Sequence, residues 1–122
     1  MNLTLWIVAG LLAALYLAAG LTKAGQSRAK LLENPRMGWV ADHSERSLRL
    51  IGLVEILGAL GLVLPQATGI APVLTPIAAA GLAVVQLVAA RIHQRRGEYA
   101  SLPVNAVLLL LAAFVALGRF AG

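Results

Sequence analysis

The chain has 122 residues, of which 60% are hydrophobic and 12% charged, and its formal net charge is +5. This composition excludes an ordinary soluble domain, because so few charged residues could not cover its surface. The absence of cysteine excludes a disulfide and a thiolate metal site. The basic residues flank apolar segments, so orientation in a membrane explains the charge better than a nucleic-acid partner.

Four apolar runs follow one another along the chain, each long enough for a helix to cross about 30 Å of hydrocarbon. They predict an all-α integral membrane four-helix bundle. The first run has no basic residue before it and several after it, so we interpret it as a retained helix and not as a secretory signal. The predicted single domain spans residues 1–122, with helices at about 3–23, 45–64, 75–93 and 102–120.

Local signals predict the helix ends. Ser44 or Asp42 is a candidate N-cap for the second helix, and Pro65 is expected to stop that helix. Thr75 and Ser101 each have a proline one or two residues later, which predicts capped starts for the third and fourth helices. Residues 25–43 mix charges with apolar side chains and predict a short interfacial segment between the first two helices.

Charge is distributed unevenly between the linkers. The second linker, residues 65–71, has no charge, and Arg119 is the one basic residue beyond the other two linkers. A four-pass chain brings its first and third linkers to one side, which the positive-inside rule makes cytoplasmic. Both termini are then expected outside the cytoplasm, in a multi-pass protein of the bacterial inner membrane. The nine basic residues on the inner side are Lys23, Arg28, Lys30, Arg36, Arg46, Arg49, Arg91, Arg95 and Arg96.

Each predicted helix carries its polar side chains on a face of small residues when it is read at alternating steps of four and three. Such a face favours close packing, so we expect these polar groups to turn into the bundle, away from lipid. They form a candidate buried polar cluster or ligand-binding site, which consists of Tyr16, Lys23, Glu55, Gln86, His93 and Asn105.

Glu55 lies near the middle of the second helix, where a charged carboxylate costs several kcal/mol unless it is paired or protonated. Lys23 is long enough to reach it, and Tyr16 lies at a depth suited to donate a hydrogen bond. Two interpretations stay open: a polar network that fixes helix register, or a cavity that binds a ligand. For His93 the alternative is a solvated residue at the interface, because it lies beside Arg91 and Arg95. The sequence contains no catalytic grouping and no convincing metal site.

Several segments, in their order and spacing, resemble the DoxX-like family of small four-helix bacterial membrane proteins. The resemblance implies a layout similar to subunits linked to thiosulfate or quinol oxidation and to membrane partners of redox enzymes. The segments that carry it are 16–23 (YLAAGLTK), 49–65 (RLIGLVEILGALGLVLP), 74–87 (LTPIAAAGLAVVQL), 93–98 (HQRRGE) and 105–120.

We expect a non-enzymatic accessory or scaffold protein that contacts membrane lipid and either a membrane-protein partner or a second copy of itself. The alternative is binding of a quinone, a lipid or another apolar small molecule in the bundle, in support of membrane redox chemistry. Transport is a further alternative. No intrinsic cofactor and no nucleic-acid partner is expected.

Overall fold

The computed structural model describes residues 2–121, and of Arg36 it describes the backbone alone. These residues contain no strand. The two 3-10 segments are Pro35–Asp42 and Tyr99–Ser101. The helices are α1 (Asn2–Gly25), α2 (Arg28–Leu32), α3 (Glu45–Thr68), α4 (Leu74–Arg95) and α5 (Leu102–Phe120).

Within the described residues, four helices are long and apolar enough to cross a membrane: α1, α3, α4, and α5 together with the turn before it. At 1.5 Å per residue, the 24 residues of α3 extend about 36 Å, which exceeds the hydrocarbon thickness. Large apolar side chains cover the outside of the bundle. Leu57 and Leu110 are each 68% exposed, which water disfavours and lipid accommodates. The four-helix membrane architecture predicted from the sequence is confirmed.

The four long helices form a ring in the order α1, α3, α4 and α5, in which each helix packs against two neighbours. The core between them consists of buried aliphatic and small side chains, such as Leu12, Leu62, Leu82 and Val115. At one end of the bundle lie the segments 26–44 and 96–101. We call this the basic end, because it holds most of the positive charge.

Two glycines bring α1 and α3 into backbone contact. A Cβ atom on Gly20 would lie 2.6 Å from the carbonyl oxygen of Gly52, and a Cβ atom on Gly52 would lie 2.7 Å from the backbone nitrogen of Ala24. Real Cβ atoms do not approach so closely, so both positions require glycine for this helix spacing.

Some helix ends differ from the sequence prediction. Ser44 does cap α3, since its Oγ accepts the backbone N–H of Ser47 at 3.1 Å. Pro65 does not stop α3, which continues to Thr68 and ends at Gly69 in a left-handed conformation. A proline loses one hydrogen bond to the preceding turn but leaves the following turn free to form. Thr75 and Ser101 make no capping hydrogen bond; Thr75 lies inside α4, where it is buried.

The predicted interfacial segment folds back onto the basic end. Its Leu31 and Val40 are buried together with Leu48 of α3. Arg28 holds the segment closed on itself, because it donates to the carbonyl oxygens of His43 at 2.9 Å and Ala41 at 2.8 Å. Part of its apolar surface therefore packs on protein, which positions it over the site described next.

Candidate functional site

The central ion pair joins α1 to α3. Lys23 Nζ lies 2.5 Å from Glu55 Oε1, and the Glu55 side chain is only 4% exposed. Lys23 and Glu55 each stand three residues beyond a glycine of the contact between Gly20 and Gly52. Because the helices are antiparallel and side chains lean toward the N-terminus of their own helix, these two side chains point at each other.

A second polar group links three helices through amide hydrogen bonds. Asn105 Nδ2 donates to Gln86 Oε1 at 2.9 Å, and Gln86 Nε2 donates to Tyr16 Oη at 2.7 Å. Tyr16 and Gln86 belong to opposite helices of the ring, so their hydrogen bond crosses the centre of the bundle. The sequence places Tyr16 at a depth suited to donate a hydrogen bond near Glu55, and the structure pairs its hydroxyl with Gln86. Asn105 Oδ1 is fully buried without a partner among the described residues.

A third polar group closes the basic end. His93 Nδ1 lies 3.0 Å from Glu98 Oε1, and Arg96 Nε lies 3.3 Å from the same oxygen. Arg96 Nη1 also lies 2.6 Å from Asp42 Oδ2, so one guanidinium joins the segment 26–44 to the end of α4. The hydrogen bond with Asp42 raises the pKa of Arg96, which keeps this link charged. The side chain of His93 is 13% exposed, so most of it is shielded from solvent.

These polar groups surround a cavity of about 490 Å³ between α3 and α4. Toward the other end of the bundle the two helices touch, because Gly58 contacts Leu82 and Gly61 contacts Ala78. Toward the basic end they separate and leave the space open. All six residues singled out in the sequence line this cavity: Tyr16, Lys23, Glu55, Gln86, His93 and Asn105.

The cavity opens sideways, through the gap between α3 and α4. Five of its lining residues are also at least half exposed on the outer face of the bundle, and four of them flank the gap between α3 and α4. In a membrane that face meets acyl chains, so an apolar molecule can enter the cavity from lipid without crossing water. The four that flank the gap are Leu50 and Val54 on α3 and Val84 and Val88 on α4, and the fifth, Leu15, lies on α1.

The segment Pro35–Asp42 forms the floor of the cavity at the basic end. Met37 and Trp39 both line the space, and the ring of Trp39 lies 5.6 Å from Lys23 Nζ. That contact is a cation–π interaction, so Lys23 is held between a carboxylate and an aromatic face. The sequence predicts that Met37 and Trp39 belong to an interfacial segment and does not assign them to the site. Only the fold of residues 26–44 onto the bundle brings them there.

The arrangement offers hydrogen-bonding groups inside an apolar pocket. The described residues contain no group of three His, Asp or Glu side chains that could hold a metal ion. The groups named above place hydrogen-bond donors and acceptors on the wall of a mostly apolar pocket.

The fold and the cavity define a small four-helix membrane protein with a polar pocket in its basic half. The model of the DoxX-like family matches residues 7–115, and the chain belongs to that family. No curated protein and no solved structure matches the chain.

Proposed function

We propose that the protein binds an apolar small molecule, of the quinone or lipid class, in the cavity between α3 and α4. One observation carries this proposal: a pocket of about 490 Å³ that has polar groups on its inner wall and an opening on the lipid-facing side. Ligand sites are commonly of this size, mostly apolar, with a few converging polar groups. A bundle held together only by a register-fixing network has no need of such a space.

The proposal includes an orientation. With the basic end in the cytoplasm, as the positive-inside rule requires, the cavity lies in the inner half of the bacterial inner membrane. Both termini then lie outside the cytoplasm. An accessory or scaffold role, with a membrane-protein partner or a second copy, is compatible with ligand binding and stays a prediction, as does transport.

Blocking the lateral opening tests the proposal. Val88 lines the cavity and is 55% exposed, whereas Leu87 is 56% exposed and does not line it. Val88→Trp places an indole in the opening, and Leu87→Trp adds the same side chain to the lipid-facing surface as a matched control. Each protein is expressed in bacteria, extracted from the membrane and examined by native mass spectrometry.

We expect the unaltered protein and Leu87→Trp to carry the same bound mass, and Val88→Trp to have lost it. A wild-type protein without any adduct would contradict the proposal. So would an adduct that all three proteins carry equally, because the molecule would then sit outside the cavity.

A further inference from the structure

The carboxylate of Glu98, which does not line the cavity, determines which ring nitrogen of His93 carries the proton. His93 Nδ1 faces the carboxylate of Glu98 at 3.0 Å, and Arg96 lies against the same carboxylate oxygen. An ionised carboxylate only accepts hydrogen bonds, so Nδ1 is the nitrogen that carries the proton. In the neutral ring, Nε2 is then an acceptor with a free lone pair.

The free nitrogen is accessible, and its ring lines the cavity. Nε2 of His93 has no hydrogen-bond partner among the described residues, and it is not one of their buried unpaired atoms. The ring lines the cavity and keeps 13% of its surface exposed. Asn105 Oδ1 also lacks a partner, but it is fully buried. An acceptor that is accessible and unpaired in an apolar pocket favours a ligand with a hydrogen-bond donor.

The charges of the cavity wall exclude a strongly charged ligand head. Lys23 and Glu55 neutralise each other at 2.5 Å, and Trp39 lies against the ammonium group on another side. An anionic head would have to compete with Glu55 for Lys23, and a cationic head would have to compete with Lys23 for Glu55. A neutral head leaves the pair intact and costs no desolvation of an unpaired charge.

The depths of His93 and of the lateral opening in the membrane fit the head and the chain of an amphiphile. His93 lies two residues before the end of α4, at the basic end. The proposed orientation puts that end near the lipid head groups. The lateral opening at Val54 and Val84 lies deeper, so a chain that starts at His93 leaves the cavity among acyl chains. Resting on the proposed function, we infer that the cavity holds a neutral hydroxyl-headed amphiphile whose O–H donates to His93 Nε2.

Four probes with the same chain and different heads test this inference: dodecan-1-ol, dodecyl methyl ether, dodecanoate and dodecyltrimethylammonium. The ether accepts hydrogen bonds but cannot donate. Trp39, which lines the cavity, reports binding by its fluorescence in a Trp6→Phe protein, reconstituted in lipid nanodiscs and titrated by mole fraction of probe in lipid. His93→Phe in the same background removes the acceptor and keeps an aromatic ring.

We expect the alcohol to bind about 10-fold more tightly than the ether, the effect of one hydrogen bond of about 1.4 kcal/mol, and more tightly than both ions. In His93→Phe the alcohol and the ether should bind equally. Equal binding of alcohol and ether to the Trp6→Phe protein would overturn the inference. This outcome does not depend on whether the His93→Phe variant folds. Tighter binding of either ion, or an alcohol preference that survives in His93→Phe, would also overturn it.

A distinct result marks failure of the proposed function itself. If none of the four probes changes Trp39 fluorescence, or if Val88→Phe in the Trp6→Phe protein leaves their binding unchanged, no amphiphile occupies the cavity. If all four bind and only the head-group preference is absent, the cavity binds apolar molecules and the assignment to His93 is wrong.

Discussion

At the scale of single residues, the pairing of Lys23 with Glu55 decides whether the bundle tolerates a carboxylate at its centre. Removal of one partner leaves the other charge buried and unpaired, which costs about 3–5 kcal/mol, whereas removal of both can be nearly neutral. We therefore expect Lys23→Met and Glu55→Gln to destabilise the protein separately. The double variant should recover most of the loss, as measured by thermal unfolding in detergent.

The control for this double-mutant cycle is the exposed ion pair of Arg49 and Glu45. The two groups lie 3.5 Å apart, and their side chains are 62% and 49% exposed. Replacement of Arg49 with Gln should change stability by at most about 1 kcal/mol, because water screens the pair. If the losses of stability in Lys23→Met and Glu55→Gln simply add in the double variant, the two side chains do not interact in the folded protein.

At the scale of elements, the contact between α1 and α3 depends on glycine. Gly52→Ala places a methyl group 2.7 Å from the backbone of Ala24, so the helices must separate and we expect a loss of about 1–3 kcal/mol. Gly81 has nothing within 4 Å of a built Cβ, and Gly81→Ala should stabilise α4 by up to about 1 kcal/mol. Thermal unfolding of both variants checks this; a Gly52→Ala protein as stable as the wild type would refute the close contact.

The floor of the cavity is an element held in place by Arg96. Arg96→Gln breaks the link to Asp42, and we expect it to shift the closed segment toward an open state. Acrylamide quenching of Trp39 in a Trp6→Phe protein measures that opening. Arg95→Gln is the matched control, because Arg95 is exposed and makes no ion pair among the described residues. Equal quenching in the two variants would mean that the link does not hold the floor.

At the scale of the whole molecule, the four crossings place residues 26–44 and the turn at Ile70 on opposite sides. The chain has no cysteine, so single cysteines report topology directly. We expect Ile70→Cys, at a position that is 75% exposed, to react with an impermeant maleimide in intact bacteria. Ala29→Cys should react only after permeabilisation. The reverse pattern would invert the proposed orientation.

Much of this molecule could be predicted because lipid imposes strict rules on sequence. Apolar runs of about 20 residues, together with the resemblance, predicted the membrane bundle and the family, and both are confirmed. Small-residue spacing singled out Tyr16 and Glu55 as inward-facing. It could not predict that Tyr16 bonds to Gln86, because partner choice depends on the relative rotation and depth of helices that are distant in sequence.

The cavity itself could not be predicted, because it arises where α3 and α4 separate. That separation depends on how side chains of α4 pack against Gly58 and Gly61. The spacing of residues along a single helix does not predict this packing. The position of the cavity floor could not be predicted for a related reason. A short polar segment has no regular spacing of apolar residues that would show which of its side chains pack on the bundle. Pro65 misled the prediction of one helix end, because a proline ends a helix less strictly than its propensity indicates.

The most direct test of this account is a high-resolution structure of the protein in nanodiscs made from native lipid. We predict an elongated density between α3 and α4 that begins beside His93 and leaves the bundle past Val54 and Val84. A bundle in which Leu50 and Val88 close against each other, with no space around Glu55, would contradict it.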